Sequence, residues 1–241
     1  AAGHGLRIMR GSAPDRPTRR MTLAPARQGP DETWMTTMTN TTRLAALLLT
    51  TLAAAAPAAF AGGNAEAGAQ KSLVCGACHG VDGNSVNPEW PSLAGQHESY
   101  VVRQLQLFKQ GVRNNVIMMP NAMLLSDEDM ADLAAYYAAQ QVKGLESDPS
   151  NVELGEKIYR AGDPARDLPA CIACHGPQGK GNGPANYPAL RAQHSLYTYN
   201  QLRAYASGER VPAGNDIMQT ISGKLTDEEM RAVASYLQGL R

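Results

Sequence analysis

Two short stretches of this chain carry residues able to do chemistry: CGACHGVDGN at 75–84 and CIACHGPQGK at 171–180. Each places two cysteines three apart with a histidine directly behind the second. Such a group can be a disulfide, half of a zinc site, a redox dithiol or a haem anchor. Four cysteines are too sparse for a disulfide-stapled scaffold. A redox dithiol expects a strand ahead of it in a βαβ setting, whereas the residues before both pairs read as helix. Two Cys-x-x-Cys pairs could build a four-thiolate zinc site. That site would have to bridge equivalent points of a repeat and would leave His79 and His175 without a role. Covalent haem attachment uses every piece. The thiols of Cys75 and Cys78, and of Cys171 and Cys174, add across porphyrin vinyl groups, and His79 and His175 fall beneath the iron. The cofactor expected is two covalently bound haem c.

The chain repeats itself around these motifs. NAEAG (64–68) matches NVELG (151–155), and WPSLAGQHESYVVRQL (90–105) matches YPALRAQHSLYTYNQL (187–202). MMPNAMLLSDEDMADLAAYY (118–137) matches MQTISGKLTDEEMRAVASYL (218–237). The repeat locates the second axial ligand. Among the second copy's methionines, Met230 reads as core packing inside a helix, which leaves Met218, eight residues before Thr226. The same interval before Ser126 falls on Met118. Its neighbour Met119, which aligns with Gln219, stays open as a rival. Pro91 and Pro188 follow the two histidines by 12 and 13 residues, so their carbonyls are candidates to orient the rings. His97 and His194 read as partly exposed residues at helix entries, ahead of propionate contacts.

The elements that must hold these residues read as all-α. A helix is expected over 98–110, with Val101, Val102, Leu105 and Phe108 on one face, and a shorter one over 64–74. Ser126 with Asp129 and Thr226 with Glu229 are capping-box signatures opening the last helix of each copy. Those helices should bury Met130, Leu133, Ala134 and Tyr137, and Met230, Val233, Ala234 and Leu237. We expect tandem domains at 62–140 and 152–241, joined by a linker at 141–151 with Gly144 and Pro149 as breakers.

Ahead of them, residues 35–61 run from a short polar start through an apolar stretch to Ala59-Phe60-Ala61, the pattern of a secretory signal peptide. Thr50, Thr51 and Pro57 break that stretch short of the roughly 20 apolar residues of a membrane span. Residues 1–34 read as a non-native or upstream extension. The chain is neutral overall, with 22 Lys and Arg against 22 Asp and Glu. Residues 62–150 nevertheless hold five basic against ten acidic side chains, and 151–241 hold ten against nine. No basic stripe suggests nucleic acid.

With these motifs together, the chain resembles the dihaem cytochrome c4 family over 62–241. The resemblance implies two class I cytochrome c domains related by a pseudo-twofold axis. It also implies thioether attachment at Cys75, Cys78, Cys171 and Cys174, and axial pairs His79–Met118 and His175–Met218. The segment MMPNAMLLS departs from the family's usual spacing after the proline, which bears on Met118 against Met119. The implied function is a periplasmic electron carrier, not an enzyme, working from a quinol-cytochrome c reductase complex to a terminal oxidase, with peripheral membrane association left open. His/Met ligation fills both axial positions and raises the reduction potential. Two other classes are expected to differ in a testable way. A dihaem peroxidase-like enzyme needs a displaceable ligand at one iron, and a fixed haem subunit of an oxidase or dehydrogenase complex would copurify with it.

Overall fold

A computed structural model describes residues 62–211 and 214–241. The stretches read above as extension and secretory signal, 1–34 and 35–61, lie outside the described residues. Within these bounds the chain is helical, and its only β pairing is two isolated bridges, Asp163 with Leu168 and Asn182 with Tyr187. No described helix is long and apolar enough to cross a membrane.

The first half contains α1 (Ala65–Lys71), α2 (Leu73–His79), α3 (Glu98–Lys109), α4 (Met118–Met123) and α5 (Asp127–Ala138). The second contains α6 (Val152–Ala161), α7 (Ile172–His175), α8 (Ser195–Ala206), α9 (Ile217–Ser222) and α10 (Asp227–Gly239). In each half the first helix crosses the last, α1 on α5 and α6 on α10, and the long middle helix packs beside it. Residues 141–148, between the halves, are without helix.

Both capping boxes form. Ser126 Oγ accepts from the Asp129 amide while the Asp129 carboxylate accepts from the Ser126 amide, and Thr226 and Glu229 do the same. Such a cap contributes about 1 kcal/mol. A single buried Leu or Met contributes about 1.5–3 kcal/mol, so the apolar faces decide the fold. Met130, Leu133, Ala134 and Tyr137 are buried on α5, and Met230, Val233, Ala234 and Leu237 on α10, as the helical period requires. On α3 the buried residues are Val101, Leu107 and Phe108. Leu107 was not on the face read from the sequence, and Val102 and Leu105 are only half-buried.

The helix expected over 64–74 is two helices. Ser72 turns its hydroxyl back to donate to Ala69 O at 2.8 Å, and α2 restarts at Leu73 to carry the whole CGACH group. The nine-residue insertion GDPARDLPA adds a short 3-10 turn, Pro164–Arg166, where Arg166 reaches Glu229 on α10.

The helix crossings depend on glycine. A methyl group at Gly68 would lie 2.0 Å from Asp132 O, and one at Gly155 would lie 2.1 Å from Ala232 O. No real side-chain carbon approaches a carbonyl oxygen that closely, so both crossings use the missing Cβ to bring two backbones together. This close crossing fixes where the helix that leads to each Cys pair begins.

Candidate haem sites and the seam between the halves

The first Cys-x-x-Cys-His group lies wholly on α2, and the second spans α7 with Cys171 as its N-cap, so in each half the two thiols and the imidazole share a single short helical scaffold. No disulfide joins the cysteines, and all four are partly buried. Among the described residues no three His, Cys, Asp or Glu side chains converge on a metal-sized space, so the Cys pairs do not come together as a four-thiolate site. Burial pushes the Cys171 thiol up to about 11 and raises Cys75 as well. Both are therefore neutral thiols near pH 7.

His79 and His175 are buried. Each ring donates its Nδ1–H to the carbonyl of the expected proline, His79 to Pro91 O at 2.8 Å and His175 to Pro188 O at 3.0 Å. Desolvation lowers the pKa of both rings against the opposing effect of these bonds. The imidazoles are thus neutral, with Nδ1 engaged and Nε2 left to ligate. The proline loops are anchored from behind. Leu93 and Ala94 donate to Gly83 O, and Leu190 and Arg191 donate to Gly179 O. Gly95 and Ala192 tie the same loops to Tyr137 O and Leu237 O on the last helices.

The methionines lie on short helices after the long middle ones. Met118 opens α4 with its amide donating to Asn115 Oδ1. Met218 lies at the start of α9, half-buried against the core of its half. Their neighbours differ in direction. The Met119 methyl lies near Gly111, and Gln219 Nε2 lies near Gly208, the equivalent glycine. Met119 and Gln219 therefore occupy the same niche, which leaves Met118 and Met218 as the matched pair.

The seam holds the residues the sequence reading missed. Gln96 donates from Nε2 to Ala189 O at 3.0 Å and accepts at Oε1 from the Ala189 amide at 2.9 Å. Gln193 mirrors it, donating to Ser92 O and accepting from the Ser92 amide, both at 2.9 Å. His97 and His194 both stand at helix entries as expected, capping α3 and α8, with His97 half-buried and His194 buried rather than partly exposed. His97 donates from Nε2 to Lys180 O at 2.7 Å, and His194, which is buried, donates to Ser85 O at 2.8 Å. Both span the seam.

Arg113 donates to Gln104, Tyr197 and Gln201, and Arg210 donates to Gln201, Tyr100 and Gln104. Arg210 is buried, and neither guanidinium pairs with a carboxylate among the described residues. Burial alone would raise the Tyr197 hydroxyl, but the two arginines beside it bring its pKa below the ordinary tyrosine value. Uncompensated positive charge in a buried place is expensive. Its chemistry fits the anionic carboxylates that haem carries, and with the ligand groups it makes a donor set suited to haem. The signal for it was present in GVR (111–113) and GER (208–210), which stand at one register of the repeat.

The sequence model of the family described as Cytochrome c matches residues 65–139 and 152–241. A cytochrome c4 from Azotobacter vinelandii is 45% identical over 192 residues, covering 76% of this chain and 91% of that one. A protein named thiosulfate dehydrogenase electron acceptor, from Stutzerimonas stutzeri, is 36% identical and covers 68% of this chain and 78% of its own length. Among solved structures, reduced recombinant cytochrome c4 from Pseudomonas stutzeri superposes with a TM-score of 0.73 at 42% identity, covering 74% of this chain and 100% of that one.

Proposed function

The chain belongs to the cytochrome c4 family, a dihaem c-type electron carrier with two tandem class I cytochrome c domains, and from that premise we propose that it works in the periplasm, passing electrons from a quinol-oxidising complex to a terminal oxidase. The observation that carries the site assignment is the pair of buried histidines, each directly behind a Cys-x-x-Cys and each with Nδ1 bound to a proline carbonyl. On this reading Cys75, Cys78, Cys171 and Cys174 form the thioethers. His79 and Met118 ligate one iron, and His175 and Met218 the other. Arg113 and Arg210, with Tyr100 and Tyr197, hold the haem carboxylates at the seam.

Bound haem supplies a one-electron couple at each iron. The chain's own residues do the remainder. The proline carbonyls hold each imidazole in one tautomer and orientation, Met118 and Met218 would supply the thioethers that raise the potential of a bound haem, and the packed helices keep water away. Export by the segment at 35–61 would place attachment outside the cytoplasm. The relative named as an electron acceptor of thiosulfate dehydrogenase supports a second donor class, a thiosulfate dehydrogenase, for the same carrier.

Visible and near-infrared spectra of the purified protein, oxidised and reduced, with and without carbon monoxide, test the assignment. The expected result is two haem c per chain, a weak iron–thioether band and no response to carbon monoxide. Met118→Leu should remove that band from one haem of the two and open it to carbon monoxide, whereas Met119→Leu should leave the spectrum unchanged. A carbon monoxide response on half the haem of the unaltered protein would overturn His/Met ligation at that iron and favour a peroxidase-like enzyme. Rapid oxidation of the reduced protein by isolated terminal oxidase tests the partner, and no turnover would reject it.

A further inference from the structure

The two glutamines of the seam do more than join surfaces. Pro91 C=O and Ser92 N–H belong to one planar peptide group. Its oxygen accepts from His79 Nδ1, and its N–H donates to Gln193 Oε1 from the other half. The Pro188–Ala189 peptide is held in the same way, between His175 Nδ1 and Gln96 Oε1. The amide of each glutamine then donates back to the carbonyl of Ser92 or Ala189, so each glutamine grips the two peptide groups that flank one residue. Both glutamines are buried, and each Oε1 also accepts from the amide of the histidine that follows it. Their rotamers are therefore fixed.

We propose that Gln96 and Gln193 are positioning residues that tune the haem of the opposite half. Gln193 acts on the His79 iron and Gln96 on the His175 iron. This rests on the ligand assignment proposed above. The physical cause is polarisation along a short hydrogen-bonded chain. A peptide whose N–H is bonded to an amide oxygen carries more negative charge on its own carbonyl oxygen. It therefore accepts more strongly from the imidazole and makes that ring a stronger electron donor to iron, which favours the ferric state. The coupling is crossed because each glutamine lies in the ligand loop of its own half, with Gln96 N–H donating to Leu93 O and Gln193 N–H to Leu190 O. Each ligand loop thus contributes the clamp on the other.

The test uses the full-length protein carrying both haems, with Gln193→Met and Gln96→Met made singly. These variants keep side-chain length but remove the amide. Reduction is followed by NMR, with each haem resolved through its hyperfine-shifted resonances. Gln193→Met should lower the ferric-to-ferrous ratio of the His79 haem about threefold at fixed ambient potential, or about 28 mV at 59 mV per tenfold for one electron. The His175 haem should move by less than a third of that. Gln96→Met should give the mirror image.

Ser99→Ala removes a different bond across the seam, to Gly183 O, and should shift neither haem. Equal shifts at both haems, shifts confined to the glutamine's own half, or an equal effect of Ser99→Ala would overturn the proposal. Should a variant fail to mature, the unaltered protein still decides it. The Ser92 and Ala189 amides must be among its slowest to exchange, and fast exchange at either would sink the clamp. Absence of hyperfine-shifted imidazole resonances from His79 and His175 would instead refute the ligand assignment.

Discussion

The two halves use one fold but fasten it differently at the same crossing. In the first half Lys71 on α1 reaches Asp132 on α5 at 2.6 Å and Asp129 at 2.8 Å, and Asp132 also accepts from the Asn64 amide. The repeat places Ile158 where Lys71 stands, and Ala232 where Asp132 stands. Both are buried and apolar, and Ile158 packs into a cluster with Tyr159, Val233 and Tyr236. The second half keeps an ion pair at Glu229, but its partner Arg166 comes from the insertion, away from the helix crossing. The same backbone geometry thus tolerates a charged or an oily fastening, because the glycine contact beneath it sets the distance.

The largest effect should come from that shared contact. Gly68→Ala and Gly155→Ala each force a methyl group into a carbonyl oxygen, and each should cost about 3 kcal/mol, the upper end of overpacking. Chemical denaturation followed at each haem would measure it. A large cost in one half and none in the other would break the equivalence of the two crossings.

The next effect separates the halves by pH. The Lys71 ammonium holds the Asp129 and Asp132 carboxyls well below the usual carboxylate range. Groups so lowered in the folded state bind protons on unfolding. Their stabilisation is complete above about pH 4 and is lost as pH falls through the lowered values. The second half also holds lowered carboxyls, Asp163 and Glu229 beside Arg166 and Asp227 beside Tyr199 and Arg231, but none joins α6 to α10. Acid should therefore loosen the α1–α5 crossing before the α6–α10 crossing, read as earlier loss of the first half's iron–thioether band. The double substitution Lys71→Ile with Asp132→Ala transplants the second half's residues. It should bring the two acid transitions together while leaving stability at pH 7 little changed, since apolar replacement of an ion pair is commonly neutral. Separate transitions persisting in the double variant would show that the difference lies elsewhere.

The smallest effect concerns the ligand loops. Gly95 has φ +66°, and its counterpart Ala192 holds φ +53°. Ala192→Gly relieves a left-handed alanine worth about 1–2 kcal/mol but gives up a buried methyl worth about 0.8 kcal/mol. Its net change should stay within about 1 kcal/mol. Gly95→Ala should cost more, because its methyl would meet Val142 Cγ2 at 2.5 Å. Paired melting curves would order the two.

Much of this was legible before the structure, and the reason is local. Capping boxes, the faces of α5 and α10, and the proline acceptors all sit at fixed short intervals from the residues they serve. The break at Ser72 was hidden because a serine inside a helical pattern does not announce that it will end a turn. The seam was hidden for a stronger reason. Gln96 meets Ala189, and Arg210 meets Tyr100, across separations of 93 and 110 residues, and no periodicity reports such a pairing. The matched Gln-His and Gly-x-Arg positions showed that something recurs there, but not that each copy completes the other. The histidines following the glutamines were read correctly as helix entries, but their bonds across the seam and the burial of His194 were hidden for the same reason.

The arginines at the seam also impose an order on assembly. One buried and one half-buried guanidinium that share neutral acceptors repel one another, and if haem carboxylates are their counter-charge, as proposed above, they settle only once that charge has arrived. Closure of the molecule is then conditional on its cargo. On that assignment a chain lacking either haem should be cut by proteases faster than the finished protein, and equal resistance of the two would count against it. The charge that helps hold the cofactors would thereby act as the inspection step of the protein's own maturation.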